Sequence, residues 1–352
     1  MRLLLLDLGP SLRGGQKQTL LLAAGLSSRG HEVTVGARAG SPLARAVAAD
    51  RSLRLAPVRA GSEAAPGVLA DVARAGRQAR PDVVYAGDSR GHGAAVWSRV
   101  ARRRPLVVHR RLVFTPGRNP LSRLKYGAVA RFLAVSGAVA ESLLGWGIPA
   151  DRVVVIPDGL PPEAFVEAAP PLAPPFRLVH VGAFDGHKGQ GLAIAMVREL
   201  RRRGLDVRLD LLGDGPERTA LEKLGPRDGS VTFVGEVDDV SARLSRSHLL
   251  LLPSDFEAAP LVLVEAMAAG CPVLAHDVGG TAELVAHGRA GRLVPSLGLE
   301  AWADGAGALL ADPAERRRLV AEGRAVAGGR TLERTVALVE AELLRLATGV
   351  PS

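Results

Sequence analysis

The stretch from Ser254 to Pro272 reads SDFEAAPLVLVEAMAAGCP, and it decides the fold. It follows the apolar run Leu249–Leu252, which predicts a buried strand. Pro260 is favourable at the first position of a helix, and Gly270 is favourable just past the end of one. The next apolar run begins at Pro272. This order of strand, helix and strand predicts a βαβ unit with two parallel strands.

Two glutamates lie near the start of this predicted helix. Glu257 precedes the helix, and Glu265 lies about a turn and a half inside it among apolar residues. A carboxylate is costly to bury without polar partners, and two vicinal hydroxyls would be suitable partners. A helix N-terminus attracts a diphosphate, and eight helical residues span roughly 12 Å. The spacing predicts a ribose at one glutamate, a sugar at the other and phosphate between them. The alternative is one ion-paired glutamate and one capping glutamate.

Outward from this unit, short apolar runs alternate with helical patterns along the chain. Predicted strands in the first half are residues 3–6, 32–35, 83–86, 106–109, 132–135 and 153–156, with a helix at 16–29. Predicted strands in the second half are residues 177–181, 207–212, 231–234, 249–252, 272–275 and 291–294. Helices are predicted there at residues 190–203, 217–224, 260–269, 281–286 and 331–346. The alternation predicts an α/β fold with two successive Rossmann-like, doubly wound parallel-sheet domains.

A stretch rich in proline and alanine, residues 160–175, separates the two halves. Proline cannot continue a helix or a central strand, so this stretch predicts an interdomain connection. We expect an N-terminal domain at residues 1–163, a linker at 164–175 and a C-terminal domain at 176–330. The closing helix falls in residues 331–352, and it is a candidate to pack back toward the N-terminal domain.

Composition limits the functional classes. Hydrophobic residues make up 47% of the 352 residues and charged residues 23%, which is typical of globular proteins. The apolar run at residues 3–6 is too short for a signal peptide, and no run approaches the roughly 20 residues that span a membrane. The single cysteine, Cys271, excludes an internal disulfide, and no cluster has metal-ligand spacing. We expect a cytoplasmic protein without a bound metal.

The formal net charge of +9 is concentrated in the first half, above all between Arg99 and Arg131. A solvated surface explains such a run, and so does attraction to an anionic acceptor or an anionic membrane surface. Nucleic acid is disfavoured, because aromatic residues make up only 3% of the chain and do not interleave with the arginines.

Neither glycine-rich turn matches a standard phosphate loop. Residues 9–16, GPSLRGGQ, lack both the G-x-G-x-x-G spacing and the P-loop lysine, and Arg218 replaces the third glycine after the GDG at 213–215. Nicotinamide dependence and P-loop phosphoryl transfer are therefore disfavoured. Gly14 and Gly15 would still let a helix N-terminus approach a ligand closely; a tight turn without a ligand is the alternative.

The segment at 254–272 resembles the E-x7-E signature of retaining glycosyltransferases of family 4, which have the GT-B fold. Further matching features follow in the family's order along nearly the whole chain. They are Gly14-Gly15, RGHEV at 29–33, Ser136, PDG at 157–159, VGAF at 181–184, Lys188-Gly189, GDGP at 213–216, VGG at 278–280 and Glu283. The resemblance implies two Rossmann-like domains that face a central cleft, with the acceptor bound by the N-terminal domain and the donor by the C-terminal domain.

The resemblance also implies roles for individual residues. Lys188 would bind the donor diphosphate, Glu265 the ribose hydroxyls and Glu257 the transferred sugar. His109 matches a family histidine that faces the sugar, and it completes a catalytic set with Lys188 and Glu257; a structural histidine at a strand end is the alternative. The implied donor-binding residues are Gly14, Gly15, Gly182, Lys188, Gly213, Glu257, Ala258, Ala259, Pro260, Leu261 and Glu265.

One position departs from the family's pattern. Ala183 stands where family members often carry an arginine that pairs with the lysine on the phosphates. Either Lys188 acts with backbone amides alone, or Arg110 or Arg111 substitutes for the missing arginine.

By this resemblance we expect retaining transfer of a hexosyl-type sugar from a nucleoside-diphosphate sugar to a hydroxyl acceptor. The acceptor would be a glycan or a lipid-linked molecule of cell-envelope polysaccharide, lipopolysaccharide or glycolipid synthesis. The nucleotide sugar is a co-substrate, and neither a cofactor nor a metal is implied. The alternatives are a nucleotide-sugar epimerase of the same fold and a non-catalytic nucleotide-sugar-binding protein. The expected location is the cytoplasm, with the inner face of the cytoplasmic membrane as a candidate site of association.

Overall fold

Each half of the chain folds around its own parallel sheet. The computed structural model describes residues 1–113, 116–117, 119–166 and 173–348. Contacts divide the chain into two compact units: residues 1–159 with 332–352, and residues 160–331.

Within the described residues, the first unit contains seven parallel strands in the order β3-β2-β1-β4-β5-β6-β7. They are β1 (Arg2–Asp7), β2 (Glu32–Arg38), β3 (Arg54–Val58), β4 (Val83–Ala86), β5 (Leu106–Arg110), β6 (Arg131–Ala134) and β7 (Val153–Val155). The leucines at residues 3–6 are fully buried, as expected for a strand that is covered on both faces. The chain runs outward from β1 to β3 and then returns to the other side of β1. The topological switch point therefore lies between β1 and β4.

Helices connect these strands on both faces of the sheet. They are α1 (Gly14–Ser28), α2 (Pro42–Ala49), α3 (Pro66–Ala79), α4 (Ser89–Trp97), α5 (Pro120–Gly127) and α6 (Gly137–Trp146). Asp88, Asn119 and Ser136 cap α4, α5 and α6 by accepting a backbone N–H three residues further on. The carboxyl ends of the strands and the N-termini of the helices that follow them lie at the same edge of the sheet.

The second unit repeats this organisation around six parallel strands in the described range, in the order β10-β9-β8-β11-β12-β13. Its strands are β8 (Phe176–Val181), β9 (Val207–Leu212), β10 (Val231–Gly235), β11 (Leu249–Leu252), β12 (Val273–His276) and β13 (Arg292–Val294). Its helices are α7 (Gln190–Arg202), α8 (Arg218–Leu224), α9 (Val240–Leu244), α10 (Leu261–Ala268), α11 (Thr281–Leu284), α12 (Leu299–Ala311) and α13 (Pro313–Gly328). The switch point of this sheet lies between β8 and β11.

The closing helix, α14 (Leu332–Thr348), belongs to the first unit. Its Val336 and Leu343 are buried in one apolar cluster with Leu26 of α1. Its Glu340 accepts a hydrogen bond from Arg29 Nε at 2.7 Å. The helix completes the core of the first unit although it follows the second unit in the sequence.

The predicted α/β architecture of two parallel sheets is confirmed, and every predicted strand is present. Strand β3 has no counterpart in the sequence analysis, because Pro57 argues against a strand; proline is tolerated here since β3 is at the edge of the sheet. The limits of the units differ from the expected ones. Leu160 and Ala164 are buried in the core of the second unit, which begins at residue 160 rather than after residue 163. Residues 167–172 of the expected linker, 164–175, lie outside the described residues.

Candidate functional site

Three of the residues singled out in the sequence lie around the carboxyl edge of the second sheet. Lys188 is in the loop after β8, Glu257 is in the loop after β11, and Glu265 is in α10, the helix that follows Glu257. β8 and β11 are the two strands that flank the switch point. Open α/β sheets bind ligands at this position, outside the carboxyl ends of the strands.

Lys188 and Glu257 form an ion pair. The distance from Lys188 Nζ to Glu257 Oε1 is 2.7 Å. The side chain of Glu257 is 7% exposed and that of Lys188 is 28% exposed. A largely buried carboxylate needs a cation or several hydrogen bonds, and Lys188 supplies the cation. The structure therefore brings together two predicted site residues that are far apart in the sequence.

The backbone around Lys188 is fixed from two directions. The Lys188 carbonyl oxygen accepts a hydrogen bond from His180 Nε2 at 2.8 Å. Burial lowers the pKa of His180 to about 4, so the ring is neutral at pH 7 and carries its proton on Nε2. Gly189 follows with a φ of +72°, and a Cβ there would lie 2.0 Å from the carbonyl oxygen of Pro253. Only glycine fits at that position, which places Lys188 at the edge of the sheet.

The other predicted donor residues of the second unit lie on the same edge. Gly213 has a φ of +131°, and a Cβ there would lie 2.0 Å from the carbonyl oxygen of Gly182, so the two glycines are in backbone contact. Helix α10 begins at Leu261 and is preceded by Ala258, Ala259 and Pro260. Pro260 has no side chain that could cap the first turn, an arrangement that suits an anionic ligand. Glu265 is half-buried in the middle of α10.

His109 lies in the first unit, at the next-to-last position of β5, and is 2% exposed. Its Nδ1 is 2.7 Å from the hydroxyl of Tyr85 and 3.2 Å from Nη2 of Arg111. Because arginine can only donate, Nδ1 accepts and the ring proton is on Nε2. Burial, reinforced by the charge of Arg111, lowers the pKa of His109 to about 3. His109 is therefore a neutral hydrogen-bonding group near pH 7 rather than an acid–base group.

The two arginines that follow His109 differ in their partners. Arg111 pairs with Asp158, with Nε at 2.9 Å from Oδ2 and Nη2 at 3.0 Å from Oδ1. Arg110 donates from Nη1 to the hydroxyl of Ser89 at 3.0 Å, and among the described residues no carboxylate lies within 4.0 Å of its guanidinium. Of the two candidates for replacing the arginine missing at Ala183, Arg111 is already neutralised inside the first unit.

Gly14 and Gly15 form the first turn of α1, which begins two residues earlier than the predicted start at residue 16. Neither has a positive φ. A Cβ at Gly14 would meet no atom of the described chain within 4 Å, and one at Gly15 would lie 3.6 Å from Cδ of Arg111. The backbone therefore does not require these glycines, and the space beside Gly14 is open.

Sequence reasoning missed two carboxylates of the first unit, one buried and one half-buried. Asp7, at the end of β1, accepts a hydrogen bond from the hydroxyl of Thr19 at 2.9 Å. Asp88, which caps α4, has a pKa raised to about 6 by burial and by the nearby charge of Asp7. Both residues follow or end a strand beside the switch point, which is the signal that could have identified them.

Metal ligands and membrane-spanning helices were also expected to be absent. In the described ranges, no group of three histidine, cysteine, aspartate or glutamate side chains is arranged to hold a metal ion. A reaction without metal or cofactor stays a prediction. Of the helices the structure describes, none is both long enough and apolar enough to cross a bilayer.

The first unit also exposes leucines close to its basic run. Leu112, Leu121 and Leu124 are exposed in the loop after β5 and on α5. Arg123 is exposed on the same helix, whereas Arg118 lies outside the described residues.

Two family models match the chain. Residues 12–164 match the model described as Glycosyltransferase Family 4, and residues 175–312 match the model described as Glycosyl transferases group 1. The two matches together cover most of the chain.

Curated relatives match over part of their length. An alpha-D-kanosaminyltransferase of Streptomyces kanamyceticus is 36% identical over 148 residues, which are 40% of this chain and 38% of the relative. A D-inositol 3-phosphate glycosyltransferase of Pseudarthrobacter chlorophenolicus is 33% identical over 223 residues, which are 58% of this chain and 52% of the relative. The chain thus spans about half or less of the length of these relatives.

A solved structure matches over the whole chain. Anabaena Alr3699/HepE, crystallised in complex with UDP, superposes with a TM-score of 0.81 at 21% identity and covers 98% of this chain and 99% of its own. At this identity the likeness shows the fold, and it confirms the GT-B class.

Proposed function

The chain belongs to glycosyltransferase family 4, and from this premise we propose that it transfers a sugar from a nucleoside-diphosphate sugar to a hydroxyl group of an acceptor. The observation that carries the proposal is the ion pair between Lys188 and Glu257 at the switch point of the second sheet, next to the N-terminus of α10. Two relatives named as sugar transferases and a structural neighbour crystallised with UDP support a nucleotide-sugar donor.

The donor would lie along the start of α10. Its ribose hydroxyls would donate to Glu265, its diphosphate would bind Lys188 and the first amides of the helix, and the transferred sugar would bind Glu257. Lys188 is 28% exposed, so its ammonium can turn from Glu257 toward a diphosphate without crossing the core. The ion pair holds the ammonium beside the diphosphate position before the donor arrives, which reduces the reorganisation that the reaction requires.

Catalysis would be mainly electrostatic. The bond between the anomeric carbon and the diphosphate oxygen breaks, and a bond from the anomeric carbon to the acceptor oxygen forms on the same face. The leaving phosphate accepts the proton of the acceptor hydroxyl, so no protein base is assigned. Lys188 and the amides of α10 stabilise the negative charge that grows on the diphosphate. His109 is neutral, so we assign it no proton transfer, and its hydrogen bond to the sugar stays a prediction of the family resemblance.

The acceptor in this proposal is a glycan or lipid-linked molecule, reached at an anionic membrane surface inside the cell. The exposed leucines at positions 112, 121 and 124, beside Arg123, support peripheral binding through apolar contact and charge. A liposome flotation assay tests it, with and without anionic lipid and at low and moderate salt. We expect binding that requires anionic lipid and weakens with salt. Absence of binding in all four conditions would contradict peripheral association.

A thermal-shift panel of nucleoside diphosphates and nucleotide sugars tests the donor half of the proposal. A ligand that binds only the folded state at 100 times its Kd adds about 2.7 kcal/mol to the free energy of unfolding. We expect one nucleoside diphosphate, and the sugars attached to it, to raise the melting temperature. A panel without any stabilising nucleotide would contradict donor binding. Release of free nucleoside diphosphate in the presence of an acceptor preparation is the corresponding test of transfer.

A further inference from the structure

Among the residues that the structure describes, Arg110 is a buried cation without an anionic partner. It ends β5 and is only 5% exposed. To the described part of the chain its guanidinium makes one hydrogen bond, from Nη1 to the hydroxyl of Ser89. The guanidinium lies 5.9 Å from the ring centroid of Tyr126. A buried charge normally has an opposite charge beside it, because removal of an unpaired charge from water is costly.

The neighbouring charges are committed to other partners. Lys125 Nζ lies 2.7 Å from Glu63, so that pair is neutral overall. Arg111 holds Asp158. Asp88 accepts the backbone N–H groups of Leu8 and Gly91. Within the described part of the first unit, no ion pair compensates Arg110, and the donors other than Nη1 have no acceptor.

The hydrogen bond from Arg110 leads to Ser89, the exposed first residue of α4. The Ser89 hydroxyl oxygen accepts from Arg110, which leaves the hydroxyl proton available for another acceptor. A guanidinium fork and a hydroxyl together offer donors from different directions. Such a set fits the several oxygens of a phosphate group better than the two oxygens of a planar carboxylate.

We propose that Arg110 and Ser89 form a subsite in the first unit for a phosphate group of the acceptor. The assignment of that phosphate to the acceptor rests on the proposed function, whereas phosphate binding by Arg110 does not. The phosphate could belong to a soluble phosphorylated acceptor or to a lipid headgroup, since both present the same chemistry.

The test is a binding titration of the full chain with inorganic phosphate, glycerol phosphate and phosphatidylglycerol vesicles. All titrations contain saturating nucleoside diphosphate, so that the Lys188 site is occupied. We compare the wild type with Arg110→Gln and Ser89→Ala, and with Arg77→Gln, which removes an exposed arginine of α3 as the matched control. Arg110→Gln should weaken phosphate binding about tenfold or more, Ser89→Ala less, and Arg77→Gln not at all.

The titrations with different ligands distinguish a soluble phosphorylated acceptor from a lipid headgroup. Loss toward glycerol phosphate identifies a soluble acceptor, and loss toward the vesicles alone identifies a lipid headgroup; both results support the subsite. Equal phosphate affinity of wild type and Arg110→Gln would overturn it. These titrations do not require turnover, so failure of sugar transfer would leave their result readable.

The melting temperature of Arg110→Gln provides a second measurement. A purely structural role of Arg110 predicts a fall in this temperature, whereas the phosphate subsite does not. Because no carboxylate of the described residues compensates Arg110, Arg110→Gln should melt at the same temperature as the unliganded wild type or higher. A clear fall in melting temperature, together with unchanged phosphate binding, would show that Arg110 serves packing alone.

Discussion

Replacement of Lys188 by methionine tests the ion pair at the centre of the donor site. Methionine keeps most of the apolar stem of lysine and removes the ammonium, so the carboxylate of Glu257 loses the cation at 2.7 Å. Removal of one partner from a fully buried pair costs about 3–5 kcal/mol. Since Lys188 is 28% exposed, water can partly solvate the remaining carboxylate, and we expect a loss of about 1–3 kcal/mol.

Removal of the other partner, Glu257, should lower the free energy of unfolding by less. In Glu257→Gln the ammonium of Lys188 remains, and it can turn to solvent, so we expect a loss of about 0–1 kcal/mol. The double variant should lose less than the sum of the two single variants, because they remove the same interaction. Denaturant unfolding measures these differences, and a melting temperature for a domain of this size shifts by about 2–4 °C per kcal/mol.

The effect of Lys188→Met on turnover should be larger than its effect on stability. Lys188→Met removes charge stabilisation of the leaving diphosphate, for which single-donor losses of about a hundredfold or more are typical. Binding of the uncharged nucleoside should hardly change. A fall in turnover of less than about threefold, or roughly 0.65 kcal/mol, would mean that another cation stabilises the diphosphate.

Equal losses of stability in Lys188→Met and Glu257→Gln would refute the argument from the unequal exposure of the two side chains.

Three further predictions concern the ribose contact, the half-buried carboxylate of Asp88 and a glycine. Glu265→Ala should weaken binding of the nucleoside diphosphate about tenfold or more in calorimetry, because charge-assisted hydrogen bonds to the ribose are lost. Asp88→Asn should gain stability over the wild type as pH rises, because a pKa raised to about 6 means that the folded state resists ionisation of Asp88. The gain should be absent below pH 4, where Asp88 is protonated in both states, and should reach about 1–3 kcal/mol above pH 6, since asparagine also caps helices. Gly213→Ala should destabilise the protein by about 2 kcal/mol or more, because its Cβ would lie 2.0 Å from the carbonyl oxygen of Gly182 at a φ of +131°.

Each of these predictions has a control or a contradicting result. Glu300→Ala removes an exposed glutamate of α12 and should leave nucleotide affinity unchanged. A stability gain of Asp88→Asn that is equal at pH 4 and pH 7 would reject the ionisation argument. Gly307→Ala places a Cβ 3.7 Å from Leu200 inside α12 and should stabilise by about 0.5–1 kcal/mol. If Gly213→Ala behaved like Gly307→Ala, the loop at Gly213 would have a different backbone path.

The fold could be predicted from the sequence because its signals are local. The apolar run at Leu249–Leu252 and the pair formed by Pro260 and Gly270 define one strand and one helix without reference to any distant residue. The same kind of pattern predicted every strand except β3, where Pro57 gives the opposite local signal and position at the sheet edge decides.

The pairings within the site could not be predicted, because they join residues that are distant along the chain. Lys188 and Glu257 are 69 positions apart, and Arg111 and Asp158 are 47 positions apart. What the sequence does indicate is that each follows a strand or ends one, and such residues meet at one edge of a parallel sheet. The neutral state of His109 depends on burial and on Arg111, neither of which has a local signature.

Product analysis of a mixture of nucleotide sugars, incubated with the full chain and an acceptor preparation, is the direct test of sugar transfer. Nuclear magnetic resonance of the mixture follows the donor and its products together. We expect release of free nucleoside diphosphate from one donor, with loss of that release in Lys188→Met. An isomerised donor would indicate an epimerase instead. A donor that binds but remains unchanged with every acceptor preparation would contradict sugar transfer and indicate a binding protein.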